Sequence, residues 1–343
     1  MADEPTNRDA FRQQAAFCAA MDAPITARVC TALADALSHD SDTGRRTLDW
    51  PGEPIPDALP LRLVGGLHAL ARTGIDPDLT ALFAGKGDAP AILRRVLTDH
   101  DAALLPWLDG PPQTNEPMRS GVLMAGLLNV AKRHGPALEL REIGSSAGLN
   151  LLIDRYRFDL GGVTVGPEDA PVTIRPDWRG APPPDAPLRI VSVRGVDIQP
   201  LDATDPAVAT RLAGYIWADQ PDRQARLTAA ISMQHARPVD LVPGDAVDWL
   251  REALTEPQRV GITRVLMHSV VWQYLGDTRR AAITAMMDEA AAQATADRPL
   301  AWVRMEPDRV LQRQELIVQS WPGHATPEML ATAHAHGAWI AAA

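Results

Sequence analysis

Apolar residues recur at spacings of three and four along the first hundred positions. Phe11, Ala15 and Cys18 follow that pattern, as do Ile25, Val29, Leu33 and Leu37. Leu59, Leu63, Leu67 and Leu70 repeat it, and so do Leu93, Val96, Leu97 and Leu104. Side chains three and four apart share one helix face, so this stretch predicts amphipathic helices with Pro- and Gly-punctuated connections. Trp50 is the one large anchor in the Asp-, Gly- and Pro-rich connection between Ser38 and Pro60. A second break, Leu108 to Pro117, closes the helical part near residue 112. Met118 to His134 then reads as a helix with Thr114 or Asn115 as cap and Pro117 in its first turn.

From Leu138 the period changes. Leu138 to Ile143 is a short strand-like run, and the apolar series Leu149, Leu151, Leu152, Ile153, Tyr156 predicts a helix after a turn of small residues. A β-rich insertion covers about residues 161 to 187 and ends in the turn-forming Gly180 to Pro187. Leu188 to Val196 is a strand that stops at Asp197. Asp205 to Met233 is helical with an interruption near Trp217 to Pro221. Val239 to Val242 is a short strand and Val247 to Leu254 a helix. Val265 to Val271 is almost wholly apolar, as a central parallel strand should be. A helix over Thr278 to Ala294 follows, then strands at Leu300 to Met305, Leu316 to Trp321 and Gly337 to Ile340. This alternation predicts an α/β fold, with a Rossmann-like, mostly parallel sheet over residues 113–343 behind an all-helical domain of residues 1–112.

Composition narrows the function. A chain of 343 residues, 46% hydrophobic and 22% charged, has the make-up of a soluble globular enzyme. Its net charge of −10 argues against a broad basic surface for nucleic acid. The two cysteines, Cys18 and Cys30, lie in helical segments without zinc-ligand spacing, so no metal site is expected and a reducing cytoplasm fits. Met1 to Asp9 lacks the form of a signal peptide, and no apolar run is long enough to span a bilayer. The expected partner is a small-molecule substrate. Nothing in the pattern fixes an oligomeric state.

The candidate chemistry centres on Glu142 to Asn150. Glu142, Gly144, Ser146 and Gly148 stand at the spacing E-x-G-x-S-x-G, with Ser145 and Asn150 beside them. Small residues between a strand and a helix let backbone approach a nucleotide-like ligand. The same stretch is also a G-x-S-x-G, the nucleophile elbow of a serine hydrolase with Ser146 as nucleophile. Position separates the two readings. A hydrolase elbow follows several strands, whereas Leu138 to Ile143 is the first strand here. A hydrolase also needs an acid and a histidine downstream, and Asp245 or Asp277 with His324 or His336 carry no distinguishing context.

Other landmarks fall at strand ends. Asp197 is placed to accept hydrogen bonds from ribose hydroxyls, although it is equally a turn aspartate. Asp245 reads as the N-cap of the helix that follows. His268 ends a buried strand at the edge where such sheets place chemistry, and is the candidate catalytic base. Asn115, Glu116, Arg119, Trp272 and Tyr274 are candidates to line a substrate pocket.

Taken together, Gln113 to Glu116, Glu142 to Asn150, Arg194 to Asp197 with Pro200 and Asp202, Trp217, Gly244-Asp245 and His268-Ser269 are similar to the bacterial domain-of-unknown-function family 2332. The similarity runs in order over nearly the whole chain. The first motif resembles that of class I S-adenosylmethionine-dependent methyltransferases, with Ser146 in place of the central glycine. That resemblance implies S-adenosylmethionine as cofactor. Glu142 would sit beside its amino group, Gly144 to Gly148 around its backbone, Asp197 on the ribose and Asp245 on the adenine. It names no acceptor, and a non-catalytic member of the same fold stays open beside the methyltransferase and hydrolase readings.

Overall fold

The computed structural model describes residues 3–343 apart from positions 309 and 312. The chain opens with helices α1 (Glu4–Ala20), α2 (Pro24–Ala36), α3 (Asp42–Leu48), α4 (Leu59–Thr73), α5 (Pro77–Phe83), α6 (Ala89–Asp99) and α7 (Asp101–Leu104). Helix α8 (Arg119–His134) leads into β1 (Ala137–Ile143). Short strands β2 (Arg157–Leu160), β3 (Val163–Val165), β4 (Thr173–Ile174) and β5 (Asp177–Arg179) precede β6 (Arg189–Asp197). Next come α9 (Pro206–Gly214), α10 (Pro221–Ala236), β7 (Asp240–Pro243), α11 (Ala246–Thr255), β8 (Thr263–Ser269) and α12 (Gly276–Ala292). Strands β9 (Leu300–Asp308), β10 (Arg313–Trp321), β11 (His324–Ala333) and β12 (Trp339–Ala342) complete it.

Two compact units emerge from the contacts. One holds the chain up to Thr114 together with Asp205–Thr228, the other Asn115–Thr204 and Ala229–Ala343. In the helical unit, Asp3, Ser41, Asp76 and Asp88 each accept a first-turn N–H, which sets where α1, α3, α5 and α6 begin. The apolar stripes read from the spacing meet in one core that includes Phe11, Cys18, Val29, Leu33, Leu63, Leu67 and Val96. Residues 205–228, read from sequence as part of the sheet domain, fold here instead. Helix α9 packs along α4, and Asp219 caps α2 by accepting from the N–H groups of Ile25 and Thr26 and the Thr26 hydroxyl, at 2.8, 3.0 and 2.6 Å.

The other unit is mixed α/β. Among the described residues it holds a nine-stranded sheet in the order β5-β12-β11-β10-β9-β8-β1-β6-β7. Strands β7, β6, β1, β8 and β9 run parallel. Beyond β9 the strands β10, β11 and β12 form an antiparallel meander, and β5 adds to β12 in parallel. Helices α11 and α12 cover one face, over Ile143, Val196, Leu266, Leu300 and Trp302. Helix α8 lies on the other, close enough to β9 and β10 that a Cβ on Gly126 would strike Val303.

Three local expectations change. No α-helix follows the small-residue turn, only a single 3-10 turn at Leu149–Leu152. Leu149, Leu151, Leu152 and Ile153 are buried on every side, so their apolar run was never a one-faced stripe. The β-rich insertion starts earlier, at Arg157. It splits into a separate three-stranded sheet, β3-β2-β4, and the strand β5 that rejoins the main sheet. Strand β11 was not predicted at all, because residues from His324 to Met329 are exposed and show no alternation.

Candidate functional site

The five parallel strands reverse their order at β1. The chain steps from β1 to β6 and β7 on one side, then crosses to β8 and β9 on the other. The carboxyl ends of β1 and β8 are therefore where the connections diverge to opposite sides, the place at which open α/β sheets hold their ligands. Glu142 is the penultimate residue of β1 and Ser269 the last of β8. Asn150 bridges them, its Nδ2 donating to Glu142 Oε1 at 2.9 Å and to Ser269 Oγ at 3.2 Å. Asn115 reaches in from the start of the unit, its Oδ1 accepting the Leu149 N–H at 2.7 Å. The buried Tyr156 hydroxyl donates to the Leu149 carbonyl at 2.8 Å.

Glu142 is 1% exposed, and two buried acceptors in this cluster have no donor: Glu142 Oε2 and Asn150 Oδ1. Buried acceptors are nearly always satisfied, so a pair of orphans asks for an explanation. Burial pushes the Glu142 carboxyl up to about 7. The hydrogen bond from Asn150 and the neighbouring Ser145 hydroxyl work against that rise, and the charge of Asp197 adds to it. Its strand neighbours are different. Glu139 and Arg141 are also buried, but Glu139 pairs with Arg264 at 2.6 Å and Arg141 with Glu256 at 3.0 Å.

The turn after β1 is fastened from below and from the side. Gly144 and Ser145 both donate their N–H to the Val196 carbonyl, at 2.9 and 3.1 Å. The Ser145 hydroxyl is buried and donates to the Glu142 carbonyl at 3.4 Å. Gly144 takes φ 69°, and a Cβ there would collide with Val271. Gly148 (φ 73°) is covered by Val239 and Gln234. Ser146 takes the left-handed φ of 53° without being glycine, and its N–H donates to Asp197 Oδ2 at 2.8 Å. Asp197 Oδ1 accepts the Gln199 N–H at 2.9 Å, so this carboxylate laces the two loops together.

The left-handed Ser146 has the strained backbone of a nucleophile elbow. The acids and histidines considered for it are engaged elsewhere. Asp245 caps α11 through the Val247 N–H at 2.8 Å and pairs with Arg279 at 2.8 Å, which lowers its pKa. Asp277 faces solvent beside Arg280, His324 packs edge-on against His134, and the His336 N–H donates to His334 Nδ1.

His268 lies on the opposite face of the sheet, with Trp302 and α12. Trp302 Nε1–H donates to His268 Nε2 at 3.0 Å, so that nitrogen carries no proton. The ring proton sits on Nδ1 and is donated to Glu306 Oε1 at 2.6 Å. Glu306 also accepts the N–H groups of Val271 and Trp272, at 3.1 and 3.2 Å. The Trp272 ring stacks on His268 with centroids 5.2 Å apart and an interplanar angle of 11°. With both nitrogens in use and no exposure, His268 positions the loop after β8 and has no lone pair left for a substrate proton.

The remaining predicted pocket residues divide. Glu116 is buried and accepts the Met118 N–H at 3.1 Å, and Arg119 donates to the Ala335 carbonyl at 2.9 Å. That bond ties the start of α8 to the turn between β11 and β12, which brings His334 and His336 to the same edge. Tyr274 is exposed to solvent. Sequence reasoning missed Glu306 as the partner of His268 and Ser269 as the partner of Asn150. The one signal for Glu306 was a carboxylate shortly after the apolar run Leu300 to Val303.

Fold and site define a mixed α/β protein with a mostly parallel sheet and a buried, incompletely satisfied carboxylate where its strand order reverses. A family model described as "Uncharacterized protein conserved in bacteria (DUF2332)" matches residues 8–341. The chain belongs to that bacterial family. Neither the curated proteins nor the solved structures contain a match to it.

Proposed function

We propose that the protein binds S-adenosylmethionine at the carboxyl ends of β1, β6 and β8 and is a methyltransferase acting on a small-molecule acceptor. The observation that carries this reading is the orphaned acceptor pair, Glu142 Oε2 and Asn150 Oδ1, beside the glycine turn. An ammonium group brings both hydrogen-bond donors and positive charge to such a pair, and it favours ionised Glu142. The amino group of the cofactor's methionine part is an ammonium of that kind. Asp197 fits a ribose, since each of its oxygens holds one N–H and keeps a lone pair for a hydroxyl. Asp245, held by Arg279 and the first turn of α11, is the residue this reading assigns to the adenine amino group.

When bound, the cofactor supplies a methyl group on a positively charged sulfur that leaves readily. The chain's own contribution is then alignment of the reactants rather than a strong base. That agrees with a His268 whose nitrogens are both committed. Through Glu306 it fixes the Val271 N–H and holds Val271 over Gly144. Asn115 orients the Leu149 N–H, and Arg119 and Tyr274 are the members of the predicted acceptor wall that differ most, one buried and one exposed.

Calorimetry with S-adenosylmethionine and its demethylated product tests the reading. Saturating ligand should raise stability by about 2.7 kcal/mol at a hundredfold excess over Kd. Glu142→Gln should weaken binding by tenfold or more. Absence of heat and of thermal stabilisation with both ligands overturns it. Binding without turnover across a broad acceptor screen would mark a non-catalytic member of the fold. The strained Ser146 keeps a hydrolase test worthwhile: fluorophosphonate labelling that disappears in Ser146→Ala would replace the methyltransferase reading.

A further inference from the structure

Two arginines of the helical unit, Arg62 and Arg211, lie against aromatic rings without making an ion pair among the described residues. Arg62 of α4 is 7% exposed, donates from Nε to the Asp57 carbonyl at 2.8 Å and from Nη1 to the Leu108 carbonyl at 2.9 Å, and lies over the Trp50 ring. The Asp57 carboxylate is occupied by the Trp50 indole N–H at 2.7 Å. Arg211 of α9 lies 4.9 Å from the Trp107 ring centroid and 5.7 Å from that of Tyr215, and reaches the Trp107 carbonyl only at 3.5 Å. Among the described residues neither arginine makes an ion pair, in a chain with 43 acidic against 33 basic residues. Neighbouring Arg46 shows the ordinary arrangement, paired with Asp109 at 2.6 Å.

Tyr215 completes the cluster. Its residue is 7% exposed, and its buried hydroxyl finds no acceptor; the group that approaches it is the Arg211 guanidinium, itself a donor. Burial raises the Tyr215 pKa, and Arg211 and Arg62 are the positive charges that act against the rise. Burial likewise pulls the Arg62 guanidinium down, and the charge of Asp57 acts against that fall. The packing that sets this up is local. Helices α4 and α9 cross where Gly65, Gly66 and Gly214 lack side chains, so Tyr215 lies on Gly65 and Trp107 on Gly66. The two rings meet edge-to-face at 5.3 Å, and the Arg211 guanidinium lies over both.

Two guanidinium groups without a counter-ion and a buried hydroxyl without an acceptor are the same deficit seen from three residues. Each is costly by itself, and one oxyanion cancels all three. We propose that Arg62, Arg211 and Tyr215 form a binding site for a small oxyanion group, a carboxylate or a phosphate monoester. Arginine forks match the planar or tetrahedral oxygens of such a group, and the phenol adds a neutral donor. This site is independent of the Glu142 cluster and of the cofactor assigned there.

The test uses the full chain with sodium phosphate and sodium acetate as probes, against sodium chloride at equal ionic strength. Calorimetry and thermal unfolding should show phosphate, acetate or both binding where chloride does not. A response to phosphate alone assigns a phosphate ester, a response to acetate alone a carboxylate, and a response to both the shared oxyanion chemistry. Tyr215→Phe should weaken the anion about tenfold. It should leave the melting temperature of the anion-free protein unchanged or raised, because the lost hydroxyl had no acceptor. Arg211→Gln should weaken the anion further still. No response beyond chloride overturns the proposal. So does anion binding that is unchanged in both variants, or a Tyr215→Phe that lowers the anion-free melting temperature.

Discussion

Two polar clusters occupy the same edge of one sheet, on its opposite faces, and they differ in how completely their hydrogen bonds are made. Beside α12, His268 donates to Glu306 and accepts from Trp302, while Glu306 takes two further backbone N–H groups. Every polar atom of that imidazole has a partner, and tryptophans close it off. Across the sheet, Glu142 and Asn150 satisfy each other once and leave an oxygen apiece without a donor. A fully satisfied buried network rigidifies, whereas an unsatisfied one waits for something. The histidine had the more catalytic-looking side chain. The carboxylate is the group left with unmet hydrogen bonds.

The contrast breaks most visibly at His268. His268→Ala opens a cavity between two indoles, strands Trp302 Nε1–H and takes from Glu306 Oε1 one of its two donors. A loss of about 3–5 kcal/mol is expected in urea unfolding. A loss below about 1 kcal/mol would mean the cluster is not holding the loop after β8.

Glu142 should behave with the opposite sign. The folded state keeps its proton up to about pH 7, while the unfolded chain releases it near 4.5. Between those values the folded state binds more protons, so stability falls as pH rises. The contribution is fully present below pH 4.5 and is gone above 7, a decline on the order of 3 kcal/mol. Glu142→Gln removes the titrating group and should flatten that slope, gaining on the wild type at pH 8 and matching it at pH 5. Urea midpoints for both proteins across this range check the sign, and parallel slopes would refute it.

How much of this was legible in the sequence follows from which forces are local. Apolar runs and caps announced β1, β6, β8, the α11 start at Asp245 and the helices before residue 112. The all-round burial of Leu149 to Ile153 could not be told from a helical stripe. Residues 205–228 carry an ordinary helical pattern, and what assigns them to the helical unit is the glycine crossing with α4 and the Asp219 cap on α2, both of them long-range. Glu306 is 38 residues from His268, so no spacing rule links them. Glu142, by contrast, was singled out by its motif. What the motif could not reveal was the missing partner, because an orphaned oxygen is a property of packing.

Asp197 and Asp245 sharpen the comparison from the middle ground, since each already has a structural duty. Asp197→Ala releases the N–H groups of Ser146 and Gln199 and should cost about 1–2 kcal/mol. A smaller loss would show that the strained Ser146 turn holds itself. Asp245→Asn is the mildest change. Asparagine caps a helix nearly as well, and Arg279 is 53% exposed, so the lost ion pair should alter stability by no more than about 0.5 kcal/mol. Cofactor affinity is the more telling readout for this variant. If the carboxylate meets an adenine amino group, binding of S-adenosylmethionine should weaken severalfold while the urea midpoint stays put. If Asp245 is a cap and nothing more, neither quantity moves, and the assignment of the adenine subsite to the end of β7 falls.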